Sequence, residues 1–468
     1  MKSIPIPEIL KKLNEIFIAN GFEAYLVGGA VRDVLLGKKA SDWDITTNAK
    51  PEQIIKIFKR VIPTGIAHGT VTIHFMGKEI EATTFRSESN YSDGRHPDSV
   101  NFDVSLEADL SRRDFTINAI AASLANGSLI DPFGGQKDIK ARVIRTVGNA
   151  RDRFLEDGLR PIRALRFSSQ LDFEIEPETY SVIKLPEVQE KIRSISMERF
   201  RDEFKKILLS NEPSLAFHKL EETGILKIFI PELAACRACE QADIRGYHEF
   251  DVLDHNLYAC DGAPKDNLIV RLAALFHDIG KKDAKTIEKY EYPKGSGSFV
   301  DLIHFHKHEL YSAKMTKEIL YRLKFPNMII NQVVHLIEQH MFFFEEHWSD
   351  AAVRRFLVRV KSECVEDLFS LRLADIYGMH RCKIDPMNEG VQKIFHLRER
   401  ISEVQAKENA LSLKDLAVNG KDLIQIGIPT GKNLGRILNE LFQCVLDDPE
   451  MNEKERLLTV AKNLVKNL

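Results

Sequence analysis

Residues 26–47 read LVGGAVRDVLLGKKASDWDITT. An apolar run ends in Gly28-Gly29, a helical pattern covers 30–36 and stops at Gly37, and Asp42-Trp43-Asp44 leads into Ile45-Thr46-Thr47. Paired glycines let backbone N–H groups come close to a ligand. They also open a helix, whose N-terminus attracts anions. Arg32, one turn inside, adds a bidentate contact for phosphate. Asp42 and Asp44 are two apart, so on a strand both carboxylates face one side. Magnesium takes such oxygens together with substrate phosphates. A phosphate cradle followed by a carboxylate pair is what nucleotidyl transfer needs. Gly-Gly or Asp-x-Asp alone reads equally as a tight turn or a solvated acidic turn; the ordered spacing carries the inference.

LVGGAVRDVLLG followed by DWD resembles the head-domain signature of class II tRNA nucleotidyltransferases and bacterial poly(A) polymerases, within the wider polymerase β superfamily. The rest of the chain is weighed against that resemblance. At 468 residues it should hold two to four domains with a sizeable core. A formal charge of −3 argues against a uniformly basic nucleic-acid coat and leaves room for a local basic stripe. Six cysteines in this length make no disulfide framework; Cys236 and Cys239 form one C-x-x-C without a second pair at zinc-finger spacing. The N-terminal residues show no signal-peptide apolar core, and no apolar run reaches membrane-spanning length. The expected compartment is the cytosol, with no membrane partner.

In the first 148 residues, apolar spacing predicts a helix around Ile9–Phe17, a strand over 24–27, a helix from Pro51 through Lys59, and strands over 71–75 and 80–85 around a Gly77-Lys78 turn. That alternation fits a small α/β head with a mixed sheet. Glu81 completes a metal-binding trio if its strand lies beside Asp42 and Asp44, as the resemblance implies; otherwise it is an edge-strand surface residue. The polar stretch 85–102 is expected to be a mobile loop, which in the resembled family accompanies the ability to add A. DLSRRDFTINAIAA, 109–122, matches the family's RRDFTINA motif, with Ser111 expected to cap an apolar helix and Arg112, Arg113 and Asn118 expected at the ligand. Asp138, in a stretch resembling the family's hinge, is expected to be a structural cap.

RDRFLEDGLRPIRALRF, 151–167, is rich in arginine. On a helix Asp157 and Arg160 share a face, continued by Arg163 and Arg166. A carboxylate accepts from an exocyclic amine while a guanidinium donates to the neighbouring ring acceptor. Cytosine and adenine both offer that edge, and uracil and guanine do not. The stretch matches the family's EDxxRxLRAxRF motif, in which Asp and Arg read the incoming base. Gly158 and Pro161 are poor mid-helix residues, tolerable if the helix begins near Gly158. SMERFRDEFKKILL, 196–209, reads as a Ser-capped amphipathic helix like the family's ERIxxEL motif, with Glu198 and Arg199 as structural ties.

Downstream, His255, His277-Asp278, His308, His340 and Asp375 fall on helical segments in an order that resembles HD-domain phosphohydrolases. Imidazoles with carboxylates suit a transition metal or magnesium. His255 and Asp375 would close a shell around His277-Asp278, His308 and His340 would hold a second ion, and Lys281 would help bind phosphate. Whether His304 or His306 substitutes for His308 stays open. KYEYPKGSGSF, 289–299, reads as a surface loop, and Thr430–Gly435 as either an RNA-backbone contact or a helix connector.

The resulting expectation is an α+β multidomain enzyme. A polymerase-β-like mixed α/β head (1–148) precedes an all-helical neck that reads the nucleotide (149–245), an HD metal domain (246–385) and a C-terminal helical tail (386–468). The resemblance implies addition of C, C and A to the tRNA 3′ end from CTP and ATP without a nucleic-acid template. Asp42, Asp44 and Glu81 would serve as catalytic carboxylates on Mg²⁺. Gly28, Gly29, Arg32, Arg112, Arg113, Asn118, Asp157, Arg160, Arg163 and Arg166 would bind the nucleotide. Ni²⁺ or Mn²⁺ would suit the HD site. The alternatives are an A-adding enzyme or poly(A) polymerase, and an HD-type phosphohydrolase with an RNA-binding head. Oligomeric state is not legible.

Overall fold

The computed structural model describes residues 2–40, 42–89, 99–242, 246, 248–382, 384–407 and 412–466. They form two compact units, Met1–Pro231 and Glu232–Leu468. The first begins with helix Glu8–Ala19, which buries Leu10, Leu13 and Phe17. Strands β1 (Ala24–Val27), β2 (Asp44–Thr47), β3 (Val61–Gly65), β4 (Thr70–Phe75) and β5 (Lys78–Thr84) follow. After the short β6 (Ser87–Ser89) and β7 (Ser99–Asn101) come β8 (Ala121–Ser123) and β9 (Leu129–Ile130). Seven of these make a mixed sheet in the order β3-β4-β5-β2-β1-β8-β9. β2 is antiparallel to β1 and parallel to β5, in a register that sets Asp44 opposite Glu81.

Two local expectations need correcting, and a third falls largely outside the described residues. No apolar helix follows Arg112-Arg113-Asp114: Ser111 ends helix Leu106–Ser111, which Ser105 caps, and Thr116–Asn118 is a single 3₁₀ turn. The apolar run after it is wanted by the sheet, where β8 pairs with β1 and buries Ala121 and Ala122 completely. The stretch expected to be a mobile loop is entered by paired strands β6 and β7; its residues 90–98 lie outside those described. Asp138 does not cap its helix: Asp131 accepts from Gly135 N and Gln136 N, while Asp138 accepts from Thr116 Oγ1 at 2.6 Å.

The neck is joined to the head by a two-strand pairing, β10 (Val143–Ile144) with β11 (Glu174–Ile175). Its helix Met197–Leu208 follows the 3.6 period, with Ser196 accepting from Arg199 N. That helix buries Phe200, Phe204, Ile207 and Leu208, each worth about 1.5–3 kcal/mol of apolar transfer.

The second unit is a bundle in which helices Val252–Gly262, Leu268–Phe276, Asn327–Gln339 and Val365–His380 pack together. The segment from Glu232 belongs to it: Arg322 forks onto Glu232 through two 2.7 Å bonds. The expected surface loop at 289–299 is instead framed by a hairpin of β12 (Lys285–Glu291) and β13 (Phe299–Phe305). Alternating side chains in KTIEKYE and FVDLIHF favour a pleated pair once the ends are brought together. The tail has its own apolar cluster, including Leu423, Ile437, Leu441 and Leu457, and Gly431 precedes its helix Lys432–Asp447. No described helix is long and apolar enough to cross a membrane.

Candidate functional site

The first site lies at the end of β1 and β2. β1 delivers the chain to Gly28, whose φ of 70° is the left-handed backbone that glycine adopts freely. A Cβ there would lie in ordinary contact with the Arg113 guanidinium at 3.4 Å and Asp44 Oδ2 at 3.8 Å, so the backbone rather than space calls for glycine. Gly29 opens helix Gly29–Leu35, and Arg32 is buried one turn later. Its Nη1 donates to Asn118 Oδ1 at 2.8 Å. Asn118 Nδ2 donates to Asp114 Oδ1, and Arg163 closes the chain by donating from Nε to Asp114 Oδ2. Burial pushes the Asp114 carboxyl up, but Arg163 and the Asn118 bond outweigh it and hold it at about 2. Arg32, Arg163 and Arg166 all place guanidinium carbons within 5.4 Å of the Phe167 ring centre. Three cations gather round one buried ring, each beside a carboxylate: Arg32 with Asp33, Arg163 with Asp114 and Arg166 with Glu203.

Asp44 leads β2 with Glu81 opposite, while Asp42 precedes the strand in a bend. Burial raises the Asp44 carboxyl, with Arg113 opposing and Asp42 reinforcing. Burial and the Asp44 charge raise Glu81. The three carboxylates do not all come within 4.8 Å of one another, but the charges of Asp42 on Asp44 and of Asp44 on Glu81 still favour a cation nearby. Behind them the fully buried Asp109 accepts from Thr46 Oγ1, Arg112 and Arg113, and is held down by those arginines despite its burial. Sequence reasoning passed over Asp109, although its i,i+3 spacing to Arg112 was readable.

Asp157 is not on a helix with Arg160: it ends helix Ala150–Glu156, and helix Leu159–Leu171 begins two residues later. Pro161 falls in that first turn, and Gly158 abuts the Lys191 carbonyl, which an added Cβ would meet at 2.5 Å. Asp157 Oδ2 accepts from Arg199 Nη2 at 2.7 Å. Arg160 donates to Glu156 and to the carbonyls of Arg153 and Arg112. Arg166 is buried against Glu203 at 2.6 Å.

The second site is in the helical bundle. His255 and His277 bring their Nε2 atoms to 3.1 Å, and Asp375 Oδ1 lies 3.2 and 3.5 Å from them. Asp278 spans two groups: Oδ2 is 3.3 Å from His255, and Oδ1 is 3.0 Å from His308 and 3.8 Å from His340. His308 and His340 are 3.2 Å apart. All six are buried. Among the described residues, three or more donors gather within 4.8 Å of one another only here, as His255-His277-Asp278 and Asp278-His308-His340. His277, His308 and His340 each hold a backbone carbonyl through Nδ1, which leaves Nε2 toward the cluster. His304 and His306 stack on each other, and His304 faces Glu288, so neither replaces His308. Lys281 is not free for phosphate: its buried ammonium lies 2.6 Å from Asp278 Oδ2 and 2.7 Å from Gln241 Oε1. Gln241, and Arg372 at 2.5 Å from Asp375, were not foreseen.

The mixed sheet, its carboxylate edge and the arginine-lined seat define a nucleotidyltransferase. Residues 24–145 match the poly A polymerase head domain, residues 172–237 an RNA- and SrmB-binding region of polymerase A, and residues 305–461 domain 2 of tRNA nucleotidyltransferases. The chain is 33% identical to the CCA-adding enzyme of Lactobacillus gasseri, over 96% of each chain. It is 33% identical to that of Ligilactobacillus salivarius, over 99% of this chain and 96% of the relative. The solved Bacillus stearothermophilus CCA-adding enzyme in complex with CTP superposes with a TM-score of 0.73 at 28% identity, covering 98% of both. The chain belongs to the CCA-adding enzyme family.

Proposed function

We propose that the protein extends the 3′ end of tRNA with C, C and A, taking CTP and then ATP, and that the bundle carries a second, metal-dependent phosphohydrolase activity. The observation that carries the first part is the register pairing Asp44 with Glu81, with Asp44 and Arg113 both beside Gly28. Asp42, Asp44 and Glu81 suit Mg²⁺ as hard oxygen donors, and desolvation helped by a neighbouring carboxylate charge raises the Asp44 and Glu81 carboxyls. Bound there, the ion would acidify the RNA 3′-hydroxyl and offset charge on the triphosphate.

The chain's own groups do the rest. The N-terminus after Gly28-Gly29 and the guanidiniums of Arg32, Arg112 and Arg113 orient the triphosphate, and Asn118 keeps Arg32 aimed. The 3′-hydroxyl oxygen attacks the α-phosphorus in line, the bond to the β-phosphate oxygen breaks, and pyrophosphate leaves. Asp157 and Arg160 read the amine and the ring acceptor of cytosine or adenine. Arg199 holds the carboxylate of that pair and Glu156 its guanidinium. Arg163 and Arg166 support the seat through Asp114 and Glu203. Transfer falls to the head, residues 1–148, reading to the neck that follows it, and hydrolysis to the bundle, to which the segment from Glu232 belongs.

In the bundle, six buried nitrogen and oxygen donors around a shared Asp278 fit two divalent transition ions such as Ni²⁺ or Mn²⁺. They would supply hydroxide for hydrolysis of a 2′,3′-cyclic phosphodiester or phosphomonoester. Lys281 and Arg372 hold Asp278 and Asp375 in place.

The test is incorporation of labelled CTP and ATP, separately and together, into tRNA lacking its 3′ end. Asp42→Ala should abolish incorporation and leave tRNA binding intact; retained addition would refute the carboxylate role.

A further inference from the structure

The start of the reading helix is tied to the head through a residue that the chemistry above does not use. Helix Leu106–Ser111 ends at Ser111, with Arg112 behind it. Carbonyls at such an end have no amide partner within the helix. Two arginines of the neck take them instead. Arg153 donates from Nη1 to the Ser111 carbonyl at 3.2 Å, and Arg160 from Nη2 to the Arg112 carbonyl at 3.0 Å. Guanidiniums suit this place, since a helix C-terminus attracts cations. One carboxylate joins the two: Glu156 lies 2.9 Å from Arg153 Nη2 and 2.6 Å from Arg160 Nη1. Arg160 Nη1 also donates to the Arg153 carbonyl at 3.2 Å. Among the described residues, that leaves Arg160 its Nε and one hydrogen of Nη2 without an acceptor. The side chains of the same head segment point the other way. Arg112 and Arg113 are held on Asp109, and Arg113 stands beside Gly28.

We propose that Arg153 is a positioning residue for base choice: by holding the Ser111 carbonyl and Glu156 together it fixes Arg160 at one distance from Arg112 and Arg113, and that fixed distance is what rejects uracil. The proposal rests on the reading of CTP and ATP as substrates and deepens it. A carboxylate beside a guanidinium does not by itself refuse uracil. Cytosine presents its C4 amine next to the acceptor N3. Uracil presents its N3–H next to the acceptor O2, the same donor and acceptor one ring position further along the edge. A reading pair free to slide would satisfy either base. It discriminates only if the triphosphate and the pair are held by one rigid frame, so that the displaced pattern is missed. Arg112 and Arg113 meet the triphosphate with their side chains, while the backbone of Ser111 and Arg112 carries Arg153 and Arg160. Three bonded residues thus span the two ends of the nucleotide.

The experiment measures kcat/KM for CTP and for UTP at the first added position of tRNA lacking its 3′ end, with the full chain and Mg²⁺. Arg153→Ala should raise the UTP-to-CTP ratio about tenfold, the worth of one hydrogen bond to a charged group. The ratio does not depend on how much of the enzyme is folded, and a merely structural Arg153 would lower both nucleotides in proportion. Arg151→Ala removes a cation from the same helix that meets the exposed Glu187 at 2.9 Å, and should leave the ratio at its wild-type value. An unchanged ratio in Arg153→Ala, an equal rise in Arg151→Ala, or a wild-type chain that takes UTP as readily as CTP overturns the proposal. If the wild-type chain adds neither nucleotide, the CTP reading fails. Calorimetric binding of CTP and UTP then decides Arg153 by itself: a preference for CTP that narrows in Arg153→Ala supports it, and no preference, or one that does not narrow, overturns it.

Discussion

Asp114 is where stability and substrate binding meet, and replacing it by Asn tests both. Its carboxylate takes Arg163, Asn118 and the Phe115 amide, the last at 2.8 Å. Asparagine keeps the shape and one acceptor but removes the charge facing a partly buried guanidinium. Holding the carboxyl at about 2, against an ordinary 3.8, is worth about 2 kcal/mol at neutral pH. The sign follows from the depressed value. The contribution is fully present above the ordinary value and is lost as pH falls through about 4 toward 2. Urea unfolding of the full chain should show Asp114→Asn less stable by about 2 kcal/mol, equally at pH 7 and pH 5. The gap should close below about pH 4. Because the chain Arg163–Asp114–Asn118–Arg32 is loosened at Arg163, KM for CTP and ATP should rise together. A variant as stable as wild type at pH 7, or a gap that stays constant to about pH 2.5, refutes the charge argument.

Desolvation raises the Asp44 and Glu81 carboxyls, helped by the charge of Asp42 on Asp44 and of Asp44 on Glu81, so they take up protons above the ordinary carboxylate range. Incorporation should therefore fall early on acidification, and about tenfold more Mg²⁺ should move that limb down by up to about one pH unit, since proton and cation compete. A limb indifferent to Mg²⁺ rejects the competition. Gly158→Ala puts a Cβ 2.5 Å from the Lys191 carbonyl. The displaced helix start should lower kcat/KM for CTP by about tenfold to a hundredfold, and an unchanged rate would show the turn does not position Asp157. His277→Ala should abolish Mn²⁺-dependent hydrolysis of the cyclic nucleotide and leave CTP incorporation unaffected; a loss of both would tie the two sites together.

The head was legible because its signals are local. Gly28-Gly29, the strand before them and the Asp-x-Asp after them fall within one supersecondary unit, and the alternation of Ile80, Glu81 and Ala82 marked which face the third carboxylate takes. What the sequence could not show was partnership at long range. Arg199 meets Asp157 across 42 positions, and Gln241 meets Lys281 across 40. Lys281 looked like a free phosphate ligand because nothing in HDIGKK reveals that its ammonium is buried on Asp278. The misread helix after Arg113 has a similar origin: an apolar run is compatible with a helix or a buried strand, and only the vacancy beside β1 decides. The histidine cluster was readable as a set, yet its shared carboxylate emerged only from the packing of helices that are far apart in the chain.

One feature of the sheet bears on how this head tolerates change. Asp44 and Glu81 are register partners on adjacent parallel strands, so the spacing of their Cα atoms is in effect a lattice constant, about 4.8 Å. Substitutions elsewhere cannot tune it. A single inserted residue between Lys78 and Glu81 would do far more than many replacements. It would turn the carboxylate to the opposite face and bring the wholly buried Ile80 and Ala82 out to solvent. Natural variation should accordingly spare the length of β5 far more strictly than its composition.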